Sequence, residues 1–236
     1  MGGDRSGEAS VTGQAIGQVL SFGVGVALSP LPIIAVVLML ATPKGRTNGP
    51  AFLTGWVLGI AVLGTIVLLI ASGASASEQG SPATWLSIVK LVLGVLLLLV
   101  AFRQWRGRPR GGREPEMPAW MKSVDTLTPV KSAGMGVLLS AVSPKNLLLV
   151  VGAAAAIAQT GASAVGQAVA LIVFIVLATL GVGAPVVIYF VMGDRATRIL
   201  GELHDWMVRE NATMMAVICL ILGAKLIGDA ITALAT

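Results

Sequence analysis

Six apolar runs, each long enough to cross a lipid bilayer, constrain this chain more than any other feature of its sequence. They cover residues 14–40, 51–71, 85–102, 132–158, 163–192 and 212–234. An α-helix of about 20 apolar residues spans the hydrocarbon core, and longer runs tilt or break. Because a backbone in lipid must satisfy its own hydrogen bonds, such runs fold as helices. We therefore predict an all-α, polytopic membrane protein with six transmembrane helices.

The first and fourth runs are each interrupted by a Ser-Pro motif, at 29–32 and at 143–146. Proline removes a backbone donor and clashes with the preceding turn, so both runs are predicted to break there. Two broken helices at corresponding places in two halves point to the binding site of a transporter, although proline kinks are also tolerated in membrane helices. The residues that we predict to line a translocation pathway are Ser29, Pro30, Pro32, Ser143, Pro144, Lys145 and Asn146.

The basic residues predict the orientation of the chain. The loops after the first, third and fifth runs carry twelve lysines and arginines, whereas the opposite side carries Arg5 alone. We predict that the protein lies in the bacterial inner membrane. The positive-inside rule then places these loops in the cytoplasm and both termini on the opposite side of the membrane. Arginines next to a span normally meet anionic lipid, which we expect for Arg103, Arg106, Arg108 and Arg110. We expect no nucleic-acid partner.

The chain divides into two halves of three spans within one transmembrane domain. The halves cover residues 14–103 and 132–234, joined by a basic cytoplasmic loop at 104–131 that ends in a predicted interfacial helix. Since three is an odd number, the second half must be inverted relative to the first. Short echoes between the halves, such as Ala-Leu-Ser-Pro at 27–30 and Ala-Val-Ser-Pro at 141–144, agree with this arrangement.

Ionisable side chains inside the spans need a reason, because each costs roughly 2.5–3.5 kcal/mol on insertion scales. Lys145 either binds an anionic group of a substrate, couples transport to protons, or caps carbonyls freed by the break. Lys225 and Asp229 share a helix face, so they either neutralise each other or form a charge relay. Lys90 lies near the end of its span and can extend to the headgroups.

Several classes of function have no support in the sequence. It contains no nucleotide-phosphate loop, no Ser/His/Asp set within reach and no metal-ligand spacing. A single cysteine, Cys219, excludes an internal disulfide or a thiol relay. We therefore predict no enzymatic activity, no cofactor and no metal site.

Particular residues resemble a known family. They are Pro118-Ala119-Trp120-Met121, Thr128-Pro129 and Ser143-Pro144-Lys145-Asn146-Leu147 in the second half, and Ser29-Pro30-Leu31-Pro32-Ile33 and Gly55-Trp56 in the first. This pattern is similar to the GAP (peptidoglycolipid-addressing, Sap-like) family of actinobacteria, within the LysE (lysine exporter) superfamily. The resemblance implies six spans from duplicated three-span units, and help in moving glycopeptidolipids or other envelope lipids to the cell surface.

Three functions remain open at this stage. The first is export or translocation of an envelope lipid or glycolipid across the inner membrane. The second is LysE-type export of amino acids or small metabolites, and the third is a non-transporting assembly factor for a larger lipid exporter. Small residues at four-residue spacing, such as Gly13, Gly17 and Gly25, predict close helix contacts and leave a homodimer as an option.

Overall fold

The computed structural model describes residues 3–76, 84–107 and 126–235, and their regular structure is entirely helical. The α-helices are α1 Gly3–Ala27, α2 Pro30–Leu40, α3 Gly45–Ala76, α4 Thr84–Arg106, α5 Pro129–Val137, α6 Pro144–Gln159, α7 Ala164–Met192 and α8 Asp194–Ala235. A five-residue π-helical turn, Leu138–Val142, joins α5 to the second break. The all-α prediction is confirmed.

Four of these helices, α3, α4, α7 and α8, are long and apolar enough to cross a membrane by themselves. The other crossings are bent pairs. α1 and α2 meet at 51°, and the α5 segment meets α6 at 62°. Counting each pair as one span gives up to six crossings, which agrees with the six apolar runs. The chain is a multi-pass membrane protein.

Each bent pair runs alongside one straight helix in the same direction. Along α1, Thr12 lies beside Gly166 and the Ala27 carbonyl lies against Gly181, so α1 and α7 are parallel. Along the α5 segment, Ala133 lies against Gly55 and Ser140 against Gly59, so this segment is parallel to α3. The arm that precedes each break is therefore parallel to its straight neighbour.

The packing of the two halves is reciprocal. α1 of the first half packs mainly on α7 of the second, and α5 of the second packs mainly on α3 of the first. The last helices of the halves, α4 and α8, form the most extensive pair, and Gly94 lies against Gly223 and Ile227 there. This exchange is what two related halves would produce, and the inverted repeat itself stays a prediction.

Large side chains fill the interior where the straight helices meet the bent ones. Phe22, Phe52, Trp56 and Phe174 are fully buried. The indole Nε1 of Trp56 donates to the carbonyl oxygen of Ala178 at 3.3 Å, so even this large aromatic side chain has its polar atom satisfied. The outward faces remain apolar, as in Leu69, which is 68% exposed. An apolar outer surface of this kind suits a lipid environment.

Some sequence expectations differ from the structure in detail. The sixth span was expected from residue 212, but α8 is one continuous helix from Asp194. Residues 194–211 contain no proline, so the sequence has no strong helix breaker in this stretch. Gly13 and Gly17 face open space rather than a neighbouring helix. The predicted interfacial helix lies mostly outside the described residues, as do Arg108 and Arg110.

Candidate functional site

The first break leaves a backbone carbonyl without its helical partner. The Ser29 N–H, which would continue the α-helix by bonding Gly25, donates instead to the Val26 carbonyl at 3.1 Å. The next residue, Pro30, has no N–H to donate. The carbonyl oxygen of Gly25 is therefore available at the end of α1. In a membrane interior such an acceptor needs another donor.

The second break frees a carbonyl in a similar way. The π-helical turn ends at Ser143, whose extended backbone (φ −59°, ψ 124°) starts α6 with Pro144 at its first position. A π-helix bonds each carbonyl to the N–H five residues on, and for Leu139 that residue is Pro144. The Leu139 carbonyl therefore also needs a donor from outside the turn.

Two consecutive side chains at the start of α6 satisfy both freed carbonyls. The Lys145 Nζ donates to the Gly25 carbonyl at 2.8 Å, across from one break to the other. The Asn146 Nδ2 donates to the Leu139 carbonyl at 2.9 Å, and its Oδ1 accepts a hydrogen bond from the Ser29 hydroxyl at 2.8 Å. We call Ser29, Lys145 and Asn146, with these two carbonyls, the polar crossing. It brings together the two motifs that the sequence analysis singled out.

The polar crossing is closed. Ser29, Lys145 and Asn146 are all at most 3% exposed. The Lys145 ammonium has three donor positions but one hydrogen-bond partner, and no carboxylate within the described part of the chain forms an ion pair with it. It interacts electrostatically with the Cys219 thiol of α8, which is itself fully buried. An ammonium with unused donor positions can donate a further hydrogen bond to an anionic or carbonyl oxygen.

The remaining pathway candidates divide between the interior and the surface. Pro30 and Pro32 are buried in α2. Ser143 is half-buried, and Pro144 is exposed on the outer face of the bundle. There, Pro144 lines an apolar groove of about 310 Å³ between α4 and α6, together with Leu99 and Arg103. The seven residues therefore do not share one surface, although the breaks that hold them meet.

The predicted relay pair forms a contact at the outer side of α8. The Lys225 Nζ lies 2.7 Å from the Asp229 Oδ2, and both side chains are about one-third exposed, at 31% and 32%. The same ammonium donates to the Gln18 Oε1 at 3.3 Å and lies 5.5 Å from the centre of the Phe22 ring. This geometry is that of mutual neutralisation between Lys225 and Asp229, and a charge relay stays a prediction.

Lys90 is the residue whose surroundings the sequence analysis missed. It was expected to extend to the headgroups, but it is 5% exposed and interacts electrostatically with both Asp229 and Lys225. No local sequence signal joins these residues, because Lys90 lies in another helix. Of the arginines predicted to contact anionic lipid, Arg103 and Arg106 are described and exposed, and Arg106 lies 5.2 Å from the Phe102 ring.

Comparison with known families identifies the chain. It matches the family model described as "Sap, sulfolipid-1-addressing protein" over residues 19–232. The chain belongs to the Sap family. The match confirms the Sap-like resemblance, while membership of the LysE superfamily stays a prediction. Comparison with curated proteins and with solved structures gave no significant match. In this Sap family member, the matched region includes both breaks and the polar crossing.

Proposed function

We propose that this protein translocates a cell-envelope lipid or glycolipid across the inner membrane. Its family, named for sulfolipid addressing, supports a role in lipid addressing. The observation that carries the proposal is the polar crossing, where Lys145 is buried inside the helix bundle and bonded to a single carbonyl. Ionisable side chains at such depth mark substrate pathways in membrane proteins.

The proposed mechanism is an exchange of partners at Lys145. In the closed protein, the Gly25 carbonyl occupies one donor of the ammonium. A polar headgroup entering between the two breaks would replace this carbonyl and take the remaining donors. The Asn146 bridge between Ser29 and Leu139 would open at the same time, since it links the same two breaks. The short half-helices α2 and α6 would then move about the breaks, which are natural hinges.

Apolar grooves on the outer face favour lipid over a small hydrophilic substrate. The groove lined by Pro144 runs beside the start of α6, the helix that carries Lys145, and Arg103 lies among its otherwise apolar residues. An acyl chain could remain in such a groove while its headgroup enters the bundle. Export of amino acids would instead need an enclosed polar cavity. We therefore place lipid translocation ahead of the small-metabolite alternative.

A leaflet-exchange assay tests the proposal. Purified protein is reconstituted into vesicles that contain a fluorescent sulfated glycolipid, and a membrane-impermeant quencher reports the lipid that reaches the outer leaflet. We expect the rate to fall at least about tenfold in Lys145→Met, because the substitution removes the only charge at the polar crossing. Lys44→Met is the matched control, since Lys44 is exposed at an end of the bundle.

The same vesicles separate the alternatives. Protein-dependent release of an amino acid, without lipid movement, would replace the proposal by small-metabolite export. The third outcome is that the protein moves neither substrate in vesicles, while deletion of residues 106–118 reduces the lipid at the surface of cells. This outcome would indicate an assembly factor. The predicted orientation, with both termini outside the cytoplasm, is tested by labelling single cysteines placed at the termini of a Cys219→Ser variant in intact cells.

A further inference from the structure

A second group of charged residues lies apart from the polar crossing, between α4 and α8. Gly94 of α4 faces Gly223 and Ile227, and Leu98 faces Gly223, so the two helices are antiparallel. One turn before Gly94, Lys90 therefore lies beside the Asp229 region of α8, and its charge interacts with Asp229 and Lys225.

Lys90 has neither an ion pair nor a hydrogen bond to any part of the chain that the structure describes, although it is 5% exposed. Ser87, three residues earlier on the same face, is 1% exposed, and its hydroxyl also has no partner in this region. Natural proteins rarely bury polar groups without partners. A buried hydroxyl without a partner, with an ammonium that lacks an ion pair on the same helix face, indicates that an acceptor from outside the chain binds there.

The charges of this group do not balance. Among the described residues of this group, the carboxylate is Asp229, and it is bonded to Lys225 at 2.7 Å. The charge of Lys90 is therefore left over, and the group carries a net charge of about +1 when both lysines are protonated. An uncompensated charge in a membrane span is costly, so an anion binding beside Lys90 would be favoured. Because Lys225 and Asp229 are about one-third exposed, such an anion can reach the group from the membrane.

An apolar groove leads to these charges along α1 and α8. It has a volume of about 320 Å³ and extends past Gly25 to Leu28. The residues that line it on α1 include Leu20, Ser21, Val24 and Leu28, and those on α8 are Ile218, Ile221 and Leu222. One helical turn beyond its other end, the Lys225 ammonium donates to Gln18 at 3.3 Å. From Leu28 to Gln18 the helix rises about 15 Å, a length suited to part of an acyl chain.

We propose that Lys90, Lys225 and Ser87 bind the oxyanion of a membrane lipid, a phosphate or sulfate ester, whose acyl chain lies in the α1–α8 groove. The two ammonium groups and the hydroxyl donate to the oxyanion, Gln18 orients Lys225, and the Asp229 carboxylate competes with the oxyanion for the same ammonium. Binding here does not depend on whether the protein moves lipid through the polar crossing. The assay below contains no transport step, so failure of either proposal leaves the other standing.

Lipid binding to the purified full-length protein in detergent tests the site by native mass spectrometry. The probes are phosphatidylglycerol and phosphatidylcholine with the same acyl chains. We expect phosphatidylglycerol to bind about 10- to 30-fold more tightly, as two lysines near a membrane surface would provide. Lys90→Gln/Lys225→Gln should abolish the preference, and Lys44→Gln should keep it. Equal binding of both lipids by the wild type would overturn the site.

Two further variants keep the test decisive if the double variant does not fold. Asp229→Asn retains both lysines and removes the competing carboxylate, so it should increase the affinity for phosphatidylglycerol severalfold. Val24→Trp fills the groove and should weaken phosphatidylglycerol binding without altering that of soluble glycerol phosphate. The lipid assignment would be overturned if inorganic phosphate bound as tightly as phosphatidylglycerol and Val24→Trp left phosphatidylglycerol binding unchanged. The ligand would then be a free oxyanion.

Discussion

The two breaks share the Ser-Pro sequence but contribute different chemistry to the polar crossing. The first break is buried and contributes the Gly25 carbonyl as an acceptor and the Ser29 hydroxyl as a donor. The second break contributes the Lys145 ammonium and the Asn146 amide, which both donates and accepts, and its proline faces outward. The first bend is 51° and follows a regular α-helix, whereas the second is 62° and follows a π-helical turn.

The residues that follow each proline explain this difference. After Pro30 come Leu31 and Pro32, which can donate no side-chain hydrogen bond, so the first break cannot satisfy its own carbonyl. After Pro144 come a lysine and an asparagine, and these satisfy one carbonyl at each break. Each proline break leaves a backbone carbonyl without a hydrogen-bond donor, and the side chains of the second motif supply the donor for both carbonyls. The first break is therefore predicted to tolerate loss of its hydroxyl better than the second tolerates loss of its amide.

The largest expected effect concerns the close contact that holds the first break against α7. A side chain at position 181 would collide with the backbone of Ala27, which cannot move aside without unwinding α1. Gly181→Leu should lower the free energy of unfolding by about 3 kcal/mol or prevent folding. Gly183→Leu is the matched control, since the nearest atoms to a Cβ there are 3.8 Å away. Unfolding in mixed detergent micelles measures both, and equal stability of the two variants would contradict the contact.

The next effect concerns the amide that bridges the breaks. Asn146→Leu preserves approximate volume but leaves the Leu139 carbonyl and the Ser29 hydroxyl unpaired. We expect a loss of about 1–3 kcal/mol, because buried polar groups without partners are costly. Cys219 supplies a second measurement, since it is fully buried and is the single cysteine of the chain. Its labelling by a maleimide should be faster in Asn146→Leu than in the wild type, and an unchanged rate would show that the bridge does not keep the bundle closed.

A smaller effect is expected when only the hydroxyl of the first break is removed. Ser29→Ala eliminates one hydrogen bond to Asn146 at 2.8 Å, while the bond from Asn146 to Leu139 remains. The free energy of unfolding should fall by about 0.6 kcal/mol, the average for side-chain hydrogen bonds between membrane helices. If Ser29→Ala lowered the free energy of unfolding as much as Asn146→Leu, the two breaks would contribute equally to stability, contrary to this prediction.

The smallest effect is expected at the outward-facing proline. Pro144→Ala restores an N–H at the first position of α6, where proline is favoured but not required. Stability should change by no more than about 0.5 kcal/mol, because Pro144 is exposed and packs little. Thermal unfolding followed by circular dichroism measures the change. A large loss would show that Pro144, rather than Lys145 and Asn146, maintains the second break.

The sequence predicts much of this fold because membrane insertion follows composition. The six apolar runs correspond to the four long helices and two bent pairs, and both breaks occur at the Ser-Pro motifs. Lys145 and Asn146 could be selected from their residue types, since polar side chains within a span are costly. The π-helical turn was not predicted, because it depends on tertiary packing rather than on local pattern. The continuity of α8 was also not predicted, although no proline interrupts residues 194–211.

The partners of the selected residues could not be read from the sequence. Lys145 bonds to Gly25, 120 positions away, and a backbone carbonyl gives no sequence signal. Lys90 joins Lys225 and Asp229 only because α4 and α8 pack together. The exposure of Pro144 likewise depends on which face of α6 packs against α3. Such contacts follow from the arrangement of helices, which a single sequence leaves open.

The position of Lys145 in its own helix has an electrostatic consequence. A cation in the first turn of a helix meets the positive end of that helix's dipole, which is unfavourable. Lys145 lies in the first turn of α6, but its ammonium contacts the carbonyl end of α1, where the dipole is negative. The end of one half-helix therefore serves as the counter-ion for a lysine of another. In the proposed mechanism, movement of α6 away from α1 would expose both partial charges at once, and an anion entering between the breaks would compensate Lys145.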